Sequence, residues 1–126
     1  MPRALVYIAA AVLVLHGLVH LLGVAAYWRL AQVQNLPYRT TVLAGRLDLG
    51  AAGIRVFGGL FLVACVGFAV AAYGLVTAAP WWRPILFGTT AVSLVITALD
   101  WQVAYAGAII NLVLLGAVFV GPLLRR

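Results

Sequence analysis

From Ala4 to Trp28 the chain carries no Asp, Glu, Lys or Arg. As a helix this run exceeds the ~20 apolar residues needed to cross a bilayer core. Long apolar runs return three times, with Arg55 the one charge among them, so spans are predicted over about 4–28, 50–79, 84–99 and 103–124. A segment in hydrocarbon must satisfy its own backbone hydrogen bonds, which makes each span a helix. The predicted fold class is therefore all-α: a single transmembrane domain over residues 1–126, an integral membrane four-helix bundle. One connection is long. Residues 29–48 hold Arg29, Gln32, Gln34, Asn35, Pro37, Arg39, Thr40, Thr41, Arg46 and Asp48, and read as a short interfacial helix with a turn at Leu36-Pro37. Pro80 closes the second span and Trp81-Trp82-Arg83-Pro84 forms a tight turn. The first run, with Val24-Ala25-Ala26 near its end, also has features of a signal peptide, but it is longer than a signal core and reads as a retained helix.

Hydrophobic residues make up 67% of the chain and charged ones 8%, against about a quarter in soluble domains, which excludes a water-soluble globule. All eight basic residues are Arg, set against Asp48 and Asp100 for a net charge of +6. They are scattered along an apolar chain rather than clustered on one face, so nucleic acid is excluded as a partner and anionic lipid headgroups are the natural counterpart. Cys65 is alone, which removes internal disulfides and Cys-based metal clusters. Tyr27, Trp28, Trp101 and Tyr105 are predicted at the membrane interface on the long-loop side, with Tyr7, Tyr73, Trp81 and Trp82 at the opposite one. Arg3, Arg83, Arg125 and Arg126 flank the terminal side and Arg29, Arg39, Arg46 and Arg55 the loop side, a tie. The terminal-side Arg lie close to helix ends and the loop-side set is accompanied by both acids, which favours cytoplasmic termini in a bacterial inner membrane. Insertion in both orientations as antiparallel dimers stays open.

Polar groups are costly in lipid and turn inward, so they mark where function can reside. His16 and His20, four apart, share a face with Gly23 and Tyr27. Thr89, Ser93, Thr97 and Asp100 share a face of the third span, Asn111 lies near mid-depth in the fourth, and Arg55 enters the second from the loop side. A pocket lined by His20, Arg55, Ser93, Thr97, Asp100 and Asn111, with His16 below, is the expected ligand site. Arg39 and Arg46 are expected to meet anions or headgroups. Each residue also has a plainer reading. Ser and Thr in membrane helices bond their own backbone, Asn111 can serve only as an interhelical bond, and Arg55 can pair with Asp48. Gly58, Gly59, Gly67, Ala71 and Gly74 read as close-packing positions.

Three sharper roles compete for the His pair. A metal at His16 and His20 needs a third ligand, haem needs axial ligands from opposite sides of the iron, and a quinone or proton-handling site needs only an imidazole among hydrogen-bonding partners. No catalytic motif is recognisable.

The strings His16-Gly17-Leu18-Val19-His20-Leu21-Leu22-Gly23, Leu36-Pro37-Tyr38-Arg39-Thr40-Thr41, Gly45-Arg46 and Gly53-Ile54-Arg55-Val56-Phe57-Gly58 lead to a family, as do Trp81-Trp82 and Gly107 to Asn111. Over nearly its whole length the chain resembles a family of small, uncharacterised bacterial four-span membrane proteins with a His-Gly-x-x-His-Leu-x-Gly motif in the first helix. The resemblance implies the architecture and directs attention to His16, His20, Arg39, Arg46 and Arg55. It implies no mechanism. Small multidrug transporters resemble the chain only in layout, since they carry a carboxylate in their first helix. Small quinone-coupled thiol oxidoreductases need paired cysteines. The leading functional expectation is an interaction module or accessory subunit, homo-oligomeric or bound to other membrane subunits. The alternative is a ligand-binding or proton-handling protein for quinone, haem or metal, and a small transporter stands behind both.

Overall fold

The computed structural model describes residues 2–124, with side chains through residue 117. Its elements are α1 (Arg3–Tyr27), β1 (Thr41–Val42), β2 (Leu47–Asp48), α2 (Gly50–Val76), α3 (Trp82–Leu99) and α4 (Trp101–Leu124). The four apolar runs are thus four helices. The first three are long and apolar enough to cross a membrane, and α4 is apolar over residues 101–117. Arg125 and Arg126, counted on the terminal side, lie outside the described residues.

The order of packing follows the chain: α1 on α2, α2 on α3, α3 on α4. In α2, Ile54, Phe57, Phe61, Ala64, Phe68, Ala71 and Leu75 recur at alternating steps of three and four and are all buried, the inward stripe of a helix apolar all round. Glycines set the α1–α2 distance. A Cβ at Gly17 would stand 3.0 Å from Phe68 Cβ and 3.1 Å from the Cys65 carbonyl oxygen, and one at Gly23 would stand 2.7 Å from the Phe61 ring. Gly67 receives Thr89 in the same way, as expected of a close-packing position. The outer faces are apolar, with Leu15, Val19, Val56, Val63 and Val113 exposed.

Two helix ends differ from the sequence reading. α2 stops at Val76, short of residue 79, because Ala78 turns left-handed (φ 56°) and the amides of Ala78 and Ala79 fold back onto Leu75 and Gly74. α3 begins at Trp82, before Pro84, since a proline in the first turn lacks only an amide that has no helical partner there.

The long connection holds no interfacial helix. Asn35 adopts φ 64° and Pro37 holds Leu36 out of the helical region, so Val33 and Leu36 form an isolated bridge. β1 and β2 then pair antiparallel, Thr41 opposite Asp48. The hairpin is fastened to the end of α3 by Leu43 N–H donating to the Leu99 carbonyl at 2.9 Å.

The expected Asp48–Arg55 pair does not form, since Asp48 Oδ1 accepts the Gly50 amide at 2.9 Å at the start of α2. That amide, helped by Thr40, holds the Asp48 carboxyl below its ordinary 3.8. The bond therefore contributes above that value and is lost as pH falls through the depressed one.

Ala78 is a residue with a Cβ in a conformation that favours glycine. Ala78→Gly is expected to stabilise the protein by about 0.5–1 kcal/mol, read as a higher unfolding temperature in detergent.

Candidate functional site

Asn111 of α4 is fully buried and sits between three helices. Its Oδ1 lies 2.9 Å from His16 Nε2 on α1, and its Nδ2 lies 2.8 Å from Ser93 Oγ and 3.2 Å from Thr97 Oγ1 on α3. Ser93 Oγ is in turn 2.6 Å from His20 Nε2, and His20 Nδ1 is 2.7 Å from the His16 carbonyl oxygen. Six of the expected residues thus converge in the interior: His16, His20, Ser93, Thr97, Asn111 and, at the loop end, Asp100.

The direction of each bond follows from groups that play one role only. The His16 carbonyl must accept, so His20 carries its proton on Nδ1 and offers a lone pair at Nε2, to which Ser93 donates. Thr97 donates to the Ser93 carbonyl at 2.7 Å, so its hydroxyl accepts from Asn111 Nδ2. That orients the Asn111 amide and turns its Oδ1 to His16, which must donate from Nε2. A neutral His16 is then left with an unprotonated Nδ1 that makes no hydrogen bond. The two imidazoles meet edge to face at 5.0 Å, backed by Phe68 at 4.9 Å from His16 and 5.6 Å from His20.

The second cluster lies at the loop end. Asp100, buried at the junction of α3 and α4, accepts from Tyr27 of α1 through Oδ2 and from Arg39 of the loop through Oδ1 at 2.6 Å. Tyr27, at the loop end of α1, is 2% exposed and faces the interior. It shares the face of His16 and His20, and that phase was the signal of burial. Arg39 is taken up by this ion pair, the one formed among the described residues. Arg46 is exposed in the hairpin turn.

Arg55 is a correction to the expected pocket. It is exposed, one residue from fully buried Ile54 and hence about 100° away around the helix, and it lines no cavity with the histidines. Only its carbonyl is engaged, by the Trp28 indole N–H at 2.8 Å.

Between α1 and α4 the helices leave a cleft of about 460 Å³, bordered by His16, His20, Thr97 and Asp100 within and roofed by Leu36 of the loop. Its lips, Leu15, Val19, Leu22 and Ile110, are exposed, Val19 at 60%, whereas His20 on the floor is 4% exposed. The cleft opens sideways, through the apolar exterior.

This arrangement limits the chemistry. Ser93 and His20 have the spacing of a nucleophile and base, but Ser93 is fully buried and does not border the cleft, so no substrate carbonyl reaches Oγ. Among the described residues no third His, Cys, Asp or Glu joins the pair, so the donor set does not fit a metal. Both histidine Nε2 atoms are engaged within the protein, and neither is placed to ligate a haem iron. The network passes through the Asn111 amide, and apart from the open His16 Nδ1 it ends on backbone carbonyls.

Comparison of the chain with family models, curated proteins and solved structures finds no match.

Truncating Asn111 strands His16 Nε2–H and removes donors from Ser93 and Thr97, at about 1–3 kcal/mol per stranded group. Asn111→Ala is expected to destabilise by about 3 kcal/mol. Thr90→Val, which loses only a hydroxyl bonded to its own helix at Leu86, should cost less than about 1 kcal/mol. Paired denaturation curves in detergent check the contrast.

Proposed function

We propose that the chain is an integral membrane four-helix bundle that binds a small lipophilic molecule bearing a hydrogen-bond donor, taken up from the bilayer through the α1–α4 cleft. The observation that carries the reading is a sideways cleft with exposed apolar lips and a buried floor whose spare hydrogen-bonding capacity is accepting: His16 Nδ1 and the remaining lone pairs of Asp100. Such a floor matches a phenol, a quinol or another hydroxyl compound and disfavours a molecule with only acceptors.

Size suits a small molecule. The cleft runs along α1 from Val12 to Gly23, about 16 Å at helical rise. The available 460 Å³ falls in the range of small-ligand sites, ~300–1,000 Å³. The cleft thus favours the ligand-binding reading over the interaction module that stands first in the sequence. Within that reading, the dead-end network favours holding a ligand over moving protons.

A long-chain alkylphenol and its O-methyl ether form the test, because they differ by one donor. With purified protein in neutral detergent, intrinsic-fluorescence titration is expected to give roughly fivefold tighter binding of the phenol, the worth of one net hydrogen bond. His16→Phe should reduce the preference, since Asp100 is left as the one remaining acceptor of the two, and Ile110→Trp should block both compounds. Equal affinities for the two, or binding indifferent to Ile110→Trp, would overturn the reading.

A further inference from the structure

A second cavity, of about 580 Å³, lies on the loop, separated from the cleft by Leu36 and bordered by Arg29, Gln32, Val33, Pro37 and Tyr38. Arg29 follows α1 in the left-handed conformation, φ 57°, where the chain turns back as the amides of Arg29 and Leu30 bond to the carbonyls of Ala26 and Ala25. This is a position that favours glycine, occupied instead by a long cation. Its guanidinium lies over the Tyr38 ring at 4.7 Å, so both backbone and stacking hold it in place.

No carboxylate neutralises it. Asp100 is taken by Arg39 and Tyr27, and Asp48 accepts the Gly50 amide. The chain has no other acidic side chain. Of the two Arg expected to meet anions, Arg39 is committed to Asp100 and Arg46 stands exposed in its turn; Arg29 is exposed as well, but it borders a concave site beside an amide side chain.

We infer that this cavity binds a phosphate-bearing anion, with the Arg29 guanidinium as its charge-assisted donor fork, the Gln32 amide as a second donor and the Tyr38 ring as a rigid support. It has room for a phosphate with its glycerol, and it stands at the loop end of α1, beside Trp28. The lipid phosphodiester and free phosphate share the chemistry that Arg29 recognises. The site shares Leu36 with the cleft and none of the cleft's polar groups.

The test is thermal unfolding of the purified protein in neutral detergent, titrated separately with phosphatidylglycerol, phosphatidylcholine and inorganic phosphate. A saturable rise in melting temperature is expected with phosphatidylglycerol. Arg29→Asn, a residue that tolerates the left-handed turn, should weaken the midpoint roughly tenfold, the worth of one charge-assisted bond. Tyr38→Leu should weaken it as well, while Tyr38→Phe and Arg46→Gln should leave it in place. A rise with inorganic phosphate that depends on Arg29 in the same way would assign the site to the free anion. If Arg29→Asn leaves the midpoint unchanged, or Arg46→Gln weakens it equally, the inference is wrong.

Discussion

The carbonyls of His16 and Ser93 accept hydrogen bonds and can do nothing else, and from that the direction of every bond in the interior network follows. His20, Ser93, Asn111 and His16 are oriented in turn, until one imidazole nitrogen is left over at the cleft. In an apolar surrounding an unpaired polar group costs several kcal/mol, so such a network is either closed or a liability. Here every sealed side-chain nitrogen and oxygen among the described residues has a partner. Asn111 is the node, since it alone reaches both α1 and α3 from α4.

That node also explains how the seam between α1 and α4 stays open. The helices pack in chain order, and the outer pair is bridged at depth by His16 and Asn111 and near the loop by Tyr27 and Asp100. Two polar pins at separate depths hold the walls apart at a set width, where continuous apolar packing would have drawn them together. The loop completes the structure: Arg39 brings its charge to Asp100, Leu36 roofs the cleft, and the hairpin is tied to the end of α3.

Most of the polar set was legible in the sequence because polar residues are few in helices apolar all round and are costly to leave facing an apolar exterior, which singles out His16, His20, Ser93, Thr97, Asp100 and Asn111. Arg55 was misplaced although a signal existed: the alternating three-four spacing of Ile54, Phe57, Phe61 and Ala64 puts the inward face of α2 beside Arg55, not on it. Tyr27 carried two signals, its chemistry pointing to the interface and its helical phase to the interior, and burial against Asp100 followed the phase. Arg29 carried none that distinguished it from Arg39 and Arg46. Only the backbone turn and the stacking on Tyr38 distinguish Arg29 from the ion-paired Arg39 and from Arg46, which is exposed as Arg29 is.

By itself the sequence determined that four apolar helices would form, roughly where they begin and end, and which polar residues their interior must contain. Those outcomes depend on local periodicity and on the cost of unsatisfied polar groups, and both are written along the chain. Tertiary structure alone decided which donor meets which acceptor, which nitrogen is left free, and that α1 and α4 stand apart over a cleft. Hydrogen-bond partners 14 to 95 residues apart are chosen by the rotation and spacing of packed helices. A run of apolar letters does not encode the width of the gap between two of them.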